Sequence, residues 1–229
     1  MKLAALCVTY DRPKFLGELI ECFLRQDWPK ESRELIILDD AGQYENQEGD
    51  GWRLISIPRR FHTLGEKRNA CAALASPDVE GFLVADDDDI YLPHWFKASA
   101  EALKQADWSR PSFHLSEQNN QLKASPTQGL YHASWAVRKE MFYRVSGYTA
   151  MNSGEDQNLG HKLIQAGATI CDPCQWMKPF FVHRWNTGSY HMSSADYQTL
   201  GQRKIRKATL QIGWSKPWDQ LPIILPNKK

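Results

Sequence analysis

Hydrophobic and polar positions follow two alternating periods along the first half of the chain. Apolar residues recur at helical spacing after Pro13, near Gly65 and after Pro93. Between these helical segments the pattern predicts short buried strands at 3–8, 35–38, 54–57 and 81–85. Strands separated by helices predict an α/β fold, a Rossmann-like and mostly parallel sheet flanked by helices. Ligands of such sheets bind beyond the carboxyl ends of the strands.

The second half of the chain is less regular. A capped helix is predicted at 154–167, with Leu159, Leu163 and Ile164 as its apolar positions. The other elements expected here are a weak strand at 130–137, a helix at 139–145, and strands at 168–171 and 180–183. A basic helix is expected from Ser194, followed by a Pro-rich tail. No linker composition separates the halves, so we expect one domain over 1–229.

Composition narrows the class of protein. The 229 residues are 42% hydrophobic, and 28 Lys and Arg nearly balance 27 Asp and Glu, so net charge does not indicate a nucleic acid or membrane partner. Five scattered cysteines do not form a disulfide framework. The amino-terminal apolar stretch is too short for a signal peptide or a membrane span. We therefore expect a cytoplasmic protein without an integral membrane segment.

Four consecutive aspartates, here called the aspartate run (residues 86–89), follow the apolar strand at 81–85. Adjacent carboxylates repel one another and are costly near a protein interior unless a cation faces them. In extended backbone Asp86 and Asp88 share one side, where two carboxylates suit Mn²⁺ or Mg²⁺ completed by water and phosphate oxygens. An acidic turn solvated ahead of a helix is the alternative.

Several motifs, taken in order, resemble those of the inverting family 2 glycosyltransferases of the GT-A fold. They are CVTYDRP, LIILDDAG, GEKRNACAA, VADDDDIYLP, NSGEDQNLG and FFVHRW, which together extend over roughly residues 1–190. The resemblance implies a nucleotide-sugar donor, a UDP-sugar, bound by residues 1–92. It also implies an acceptor-binding half at 93–190, which leaves the basic helix and Pro-rich tail at 191–229.

The resemblance also implies roles for residues of the donor pocket. Arg68 would face the nucleotide, although Arg59, Arg60 and Lys67 are equally available for this contact. Asp39 or Asp40 would hold the uracil edge. The remaining residues that the resemblance places around the donor are Thr9, Tyr10, Arg12, Asp86 beside the ribose, and Asp87.

The same resemblance implies a metal ligand in the aspartate run. Alignment on residues 90–93 makes Asp88 the ligand of Mn²⁺ or Mg²⁺, and a slip of one residue would transfer this role to Asp87 or Asp89. His183, at the end of a predicted strand, would be a further ligand, with His191 as its alternative.

Inverting transfer needs a base that accepts the proton of the acceptor hydroxyl. Asp156 is the candidate, because it falls in the first turn of a predicted helix, where the helix dipole and free N–H groups stabilise a carboxylate. Glu155 is the alternative base, and it is otherwise expected to shape the acceptor pocket.

The acceptor is expected to be a hydroxyl of a glycan, a lipid-linked glycan or a hydroxylated nucleic-acid base. Aromatic residues of the acceptor half offer stacking platforms or are ordinary core residues; they are Trp135, Tyr148, Trp176, Trp185 and Tyr190. A basic cluster either forms a solvated helix face or contacts acceptor phosphates; it comprises Arg203, Lys204, Arg206 and Lys207.

Two other functions fit parts of this pattern. A nucleotidyltransferase also combines a parallel sheet, a metal and a nucleotide, but it usually has a Gly-rich loop after the first strand, and no glycine occurs here before Gly17. A noncatalytic sugar-nucleotide or carbohydrate-binding protein would bind the donor and never release diphosphate.

Overall fold

Two β-sheets and five α-helices make up the part of the chain that this computed structural model describes, residues 1–184 and 207–226. In chain order the strands are β1 (Leu3–Thr9), β2 (Arg33–Asp39), β3 (Gln47–Gly49), β4 (Trp52–Ser56), β5 (Gly81–Ala85), β6 (Ile90–Tyr91), β7 (Trp108–Ser109), β8 (Phe113–Gln118), β9 (Gln121–Pro126), β10 (Ala136–Arg138), β11 (Ile170–Cys171), β12 (Phe181–Val182) and β13 (Ile223–Ile224). The helices are α1 (Pro13–Leu24), α2 (Leu64–Ala73), α3 (Trp95–Gln105), α4 (Lys139–Arg144) and α5 (Glu155–Gln165).

Some sequence predictions concern residues outside the described ranges. Most of the basic helix expected from Ser194 lies there, with Arg203, Lys204 and Arg206. Trp185, Tyr190 and His191 also lie outside the described residues.

The larger sheet has the order β11-β7-β10-β5-β1-β2-β4-β3. Its central strands β5, β1, β2 and β4 are parallel, whereas β10 and β3 run antiparallel to their neighbours β5 and β4. The strands β1 and β2 are buried on both faces, as their continuous apolar stretches at 3–8 and 35–38 require. The predicted fold class, a mixed and mostly parallel sheet flanked by helices, is confirmed.

Local sequence signals set the helices that lead into the site. Pro13 occupies the first turn of α1, where its missing N–H costs nothing and its fixed φ favours the helix. A capping box begins α2, because the Thr63 hydroxyl accepts from the Glu66 N–H while the Glu66 carboxylate accepts from the Thr63 N–H. Both helices therefore begin at fixed positions beside the carboxyl ends of the central strands.

A smaller sheet, absent from the sequence prediction, has the order β13-β9-β8-β12-β6. Its hairpin β8–β9 turns through Asn119 and Asn120, both at positive φ (52° and 58°), as a tight two-residue turn requires. The strand β6 follows the aspartate run directly and pairs with β12. The aspartate run therefore links the end of β5 in the larger sheet to β6 in the smaller one.

Two predictions of the second half differ from the structure. The weak strand expected at 130–137 is reduced to β10, since residues 132–134 form a 3-10 turn that carries the chain around the cleft. Ile164 was expected on the packed face of α5, but 55% of it is exposed. The other two predicted positions, Leu159 and Leu163, are buried against the face of the larger sheet that also packs α2 and α4.

The tail residues 207–226 pack against the amino-terminal part of the chain. The Gly213 N–H donates to the Gly17 carbonyl of α1 at 3.4 Å, and Trp218 is buried in the main core cluster. Within the two described ranges we find no helix with the length and apolar character that crossing a membrane requires.

Candidate functional site

A cleft of about 600 Å³ opens at the carboxyl ends of the central strands, a size typical of small-molecule sites. It is bounded by the ends of β1, β2 and β5 and by the amino-terminal ends of α2 and α5. Among the described residues that the sequence analysis assigned to donor, metal or base, all line this cleft except Asp39 and the alternative Arg59. The fold thus brings together residues from positions 9 to 183 of the chain.

Each carboxylate of the aspartate run faces a basic side chain of the protein itself. Arg68 Nη2 lies 3.4 Å from Asp86 Oδ1, and His183 Nδ1 lies 3.2 Å from Asp89 Oδ1. Arg12 serves the two middle residues, with Nη1 3.0 Å from Asp87 Oδ1 and Nη2 hydrogen-bonded to Asp88 Oδ2. Burial raises the pKa of Asp87 to about 7 and that of Asp89 to about 6.

The turn after β1 holds Arg12 at this position. Asp11 adopts a positive φ of 50°, which carries the chain from the strand into α1. The hydroxyl of Thr9, the last residue of β1, donates to Asp87 Oδ2 at 2.5 Å. The segment 9–12 therefore packs directly against the aspartate run, as expected when the carboxyl ends of neighbouring parallel strands meet.

Asp39 and Asp40 have different surroundings. Asp39 is fully buried, and its carboxylate accepts from the Ala41 N–H (3.1 Å), the Gln43 N–H (3.3 Å) and the Ser56 hydroxyl (2.7 Å). Burial raises its pKa. These bonds fix the loop after β2 and keep Asp39 away from the cleft. Of the two aspartates, Asp40 is the one that lines it.

Lys67, which was only one of several alternatives in the sequence, is a buried cation at the floor of the cleft. Its Nζ donates to the Thr9 carbonyl at 2.5 Å and to Asp40 Oδ1. Burial lowers the pKa of Lys67, and the Asp40 carboxylate opposes that shift. Lys67 thereby ties the end of β1 to the end of β2. The sequence signal that could have singled out Lys67 is its place in the first turn of the predicted helix, directly before Arg68.

Arg60 forms one wall of the same region. Its guanidinium carbon lies 3.4 Å from the centre of the Tyr10 ring, and its Nη1 lies 3.3 Å from Asp40 Oδ1. The Phe61 N–H donates to the second Asp40 oxygen at 3.1 Å. The planar guanidinium covers the aromatic ring, so this part of the cleft combines a stacked arginine and tyrosine with a carboxylate.

The two carboxylates at the start of α5 differ in their partners. Glu155 is buried and lies 3.3 Å from Arg68 Nε, and burial raises its pKa. Asp156 is half-buried, lines the cleft and accepts only from the neighbouring Gln157 N–H at 2.8 Å among the contacts of the described residues. Arg68 thus bridges Asp86 and Glu155, whereas Asp156 makes no ion pair within the described ranges.

His183 is held at the opposite end of the aspartate run. Burial lowers its pKa, but the hydrogen bond and charge of Asp89 outweigh burial, and the net shift is upward. The Arg184 N–H also donates to Asp89 Oδ1 at 2.9 Å. The Asp89 carboxylate therefore orients the imidazole from the side of β6.

The donor set of the cleft suits a hard divalent ion. Asp86, Asp88 and His183 line the same space and offer carboxylate and imidazole ligands. Within residues 1–184 and 207–226, no three His, Cys, Asp or Glu side chains are grouped closely enough to hold an ion by themselves. An ion bound here would need oxygens from water or from a ligand, as Mg²⁺ commonly does with phosphates.

Glu18 and Arg184, two residues that the sequence analysis did not single out, support the aspartate run from behind. Arg184 Nε donates to the Asp88 carbonyl, and its Nη1 donates to Glu18 Oε2. Glu18 Oε1 accepts from the Ser215 N–H (2.9 Å) and the Ser215 hydroxyl (2.7 Å). This network connects α1, the aspartate run and the tail.

Three of the aromatic residues expected as stacking platforms lie in the described part of the chain, and two of these three are in the core. Trp135 is buried and packs edge-on against Trp108, with ring centres 4.6 Å apart. Tyr148 is buried, and its hydroxyl hydrogen-bonds His132 Nε2 at 2.8 Å. Trp176 is 44% exposed but does not line the cleft. The ordinary core interpretation therefore holds for Trp135 and Tyr148.

The family model described as Glycosyl transferase family 2 matches residues 5–144, which include most of β1, all of α2 and the aspartate run. The chain belongs to glycosyl transferase family 2. No curated protein matches the sequence. The resemblance to family 2 noted in the motifs is confirmed.

Solved GT-A glycosyltransferase structures share the fold of this family 2 member. S. aureus TarS 1-349 in complex with UDP-GlcNAc superposes with a TM-score of 0.63 at 17% identity, over 85% of this chain and 61% of that chain. The mannosyltransferase PcManGT from Pyrobaculum calidifontis, in complex with GDP-Man and Mn²⁺, gives a TM-score of 0.64 at 13% identity, over 89% and 65%. The chain spans less than two thirds of either structure, and these identities show the fold alone.

Proposed function

We propose that this family 2 member transfers a sugar from a nucleotide-sugar donor, a UDP-sugar, to an acceptor hydroxyl with inversion at the anomeric carbon. The observation that carries the proposal is that one cleft joins the aspartate run after β5 to Asp156 at the start of α5. Donor-binding groups and a candidate base thus face the same space.

The donor's nucleotide would lie over the ends of β1 and β2. Thr9, Tyr10 and Asp40 line this side of the cleft, and Arg60 completes its wall. The TarS complexes with UDP-GlcNAc and UDP support the choice of uridine. Arg12 and Arg68 present guanidinium groups where a diphosphate would lie, and such groups bind phosphate oxygens in pairs.

Mn²⁺ or Mg²⁺ would be held by Asp88, with Asp86 and His183 as the neighbouring donors of the cleft. When bound, such an ion stabilises the negative charge that the departing diphosphate gains. The Mn²⁺ in the PcManGT complex supports this part of the proposal.

Asp156 would accept the proton of the acceptor hydroxyl. Its carboxylate lies in the first turn of α5, where backbone N–H groups and the helix dipole stabilise negative charge. Glu155 is engaged by Arg68, so we assign it to shaping the pocket and holding that guanidinium in place. The two carboxylates thereby take separate roles, set by their partners.

We also propose one domain in which residues 1–92 bind the donor and 93–190 bind the acceptor, with residues 191–229 as a basic and Pro-rich tail. The acceptor would be a hydroxyl of a glycan, a lipid-linked glycan or a hydroxylated nucleic-acid base. The free thiols of Cys7, Cys22 and Cys71 are buried in the core and support a reducing compartment, the cytoplasm.

The test is a screen for nucleoside diphosphate release from a panel of UDP- and GDP-sugars, with and without Mn²⁺, in the presence of pooled acceptors. We expect release from a UDP-sugar that depends on Mn²⁺, and a glycosylated acceptor in the mass spectrum. NMR of the product reports inversion or retention. Donor binding without any diphosphate release would instead support a noncatalytic sugar-nucleotide-binding protein.

A further inference from the structure

Arg12 is the counter-ion of the two central residues of the aspartate run. Its guanidinium contacts Asp87 through Nη1 and Asp88 through Nη2, and only 16% of the side chain is exposed. A planar fork with several donors can hold two carboxylates at once, which a compact ammonium group does less well. The contact is therefore a bridging ion pair rather than a loose surface pair.

The surrounding backbone holds Arg12 in this place. Asp11 turns the chain at positive φ, and Pro13 begins α1 directly afterwards. The guanidinium carbon lies 5.0 Å from the centre of the Phe15 ring, which supports it from the helix side. The Asp88 carbonyl is fixed at the same time by Arg184. Both partners of the Arg12–Asp88 pair are therefore positioned before any ligand enters.

Asp88 is also the carboxylate to which the proposed function assigns the divalent ion. A guanidinium hydrogen-bonded to a carboxylate occupies an oxygen that a metal would use, and two cations held at one carboxylate repel each other. The protein's own cation and a divalent ion therefore compete for Asp88. A diphosphate changes this competition, because it offers Arg12 other anionic oxygens.

We propose that Arg12 keeps a divalent ion off Asp88 until the diphosphate of a nucleotide donor enters and takes over the guanidinium. The inference rests on the proposed function and concerns its order of binding. Metal affinity is low in the nucleotide-free protein, and nucleotide and metal strengthen each other's binding. Thermodynamic linkage requires that this coupling be the same in both directions.

The test is Mn²⁺ binding to the full chain, followed by the EPR signal of free Mn²⁺, with no nucleotide and then with UDP. In the nucleotide-free state, Arg12→Ala should bind Mn²⁺ about tenfold more tightly than the wild type, because the substitution removes the charged hydrogen-bonding partner of Asp88 and frees the carboxylate for the ion. UDP should tighten Mn²⁺ binding in the wild type and much less in Arg12→Ala. The double variant Arg12→Ala with Asp88→Asn should lose the gain.

Lys14→Ala is the matched control. Lys14 is an exposed cation two residues away, with its ammonium 4.6 Å from the centre of the same Phe15 ring. Its removal changes net charge by the same amount and leaves the aspartate run untouched, so Mn²⁺ affinity should equal that of the wild type. Arg12→Lys, which keeps the charge and loses the fork, should give an intermediate gain and serves where Arg12→Ala fails to fold.

Two outcomes separate this inference from the proposed function. Equal Mn²⁺ affinity of the wild type and both Arg12 variants, with UDP still promoting metal binding, would overturn the role of Arg12 and leave the metal site standing. No Mn²⁺ binding by any variant, with or without UDP, would overturn the metal part of the proposed function and this inference together.

Discussion

Glu18 Oε2 accepts a hydrogen bond from Arg184 Nη1 across 166 positions of the chain. Both side chains are at least 87% buried. The pair joins α1 to the second residue after β12, and Arg184 Nε in turn donates to the Asp88 carbonyl. An interaction outside the cleft thereby fixes the backbone of the aspartate run.

Glu18→Gln should lower the free energy of unfolding by about 2 kcal/mol, because a charged hydrogen-bonding partner of a partly buried guanidinium is lost. Urea denaturation measures the change. Glu21→Gln is the control, since Glu21 lies on the same helix and pairs with the exposed Arg25, and it should cost less than about 0.5 kcal/mol. Equal effects of the two variants would contradict a special role for Glu18.

The Glu18 pair also predicts a pH dependence of stability. Burial raises the pKa of Glu18, but the hydrogen bonds from Ser215 and Arg184 outweigh burial, so the folded-state pKa is below its ordinary value. The contribution is therefore fully present above the unfolded pKa of about 4.3 and is lost as pH falls through the lower folded value.

The measurement is the difference in unfolding free energy between the wild type and Glu18→Gln as a function of pH. The difference should be constant near neutral pH and shrink below about pH 4.3. A difference that grows on acidification would show that Glu18 is not stabilised as an anion in the folded protein.

Asp156→Asn should abolish most turnover and leave donor binding intact. Loss of a general base typically costs about 10²–10⁴ in kcat, and the amide keeps the size of the side chain. Steady-state release of diphosphate gives kcat, and UDP binding by calorimetry gives donor affinity. Glu155→Gln is the comparison, because it releases Arg68 and should weaken donor binding instead. Full turnover in Asp156→Asn would show that the base lies elsewhere.

Lys67→Met should weaken UDP binding by roughly tenfold, since it removes a charge-assisted hydrogen bond from Asp40 and frees the Thr9 carbonyl that Lys67 holds. Arg59→Met removes an exposed cation from the loop before α2 and should leave UDP affinity unchanged. Calorimetric titration with UDP compares the two variants. Unchanged affinity in Lys67→Met would remove Lys67 from the donor pocket.

Periodicity predicted the elements whose local sequence is sufficient to determine which of their residues are buried. The strands β1 and β2 contain continuous apolar runs and are buried on both faces, and α1 begins at Pro13 as expected. The strand expected at 180–183 contains β12, but the smaller sheet was not predicted, because β6 and β12 have two residues each and no periodicity that indicates their partners. They form through long-range pairs such as Phe181 with Tyr91.

The residue types of the cleft were predictable, and their ion partners were not. The motifs placed Asp86 and Asp156 near a common cleft, where the structure also has them. The pairing of Arg12 with Asp88 spans 76 positions, and that of Lys67 with Asp40 spans 27. Local patterns carry no information on such partners, so the sequence offered a metal as the only cation for the aspartate run.

The aspartate run is one of the covalent links between the two sheets, since β5 ends before it and β6 begins after it. A ligand that contacts both Asp86 and the surroundings of Asp89 would restrict the motion of one sheet relative to the other. Occupancy of the cleft should then slow hydrogen exchange in β8 and β9, two strands whose residues do not line the cleft.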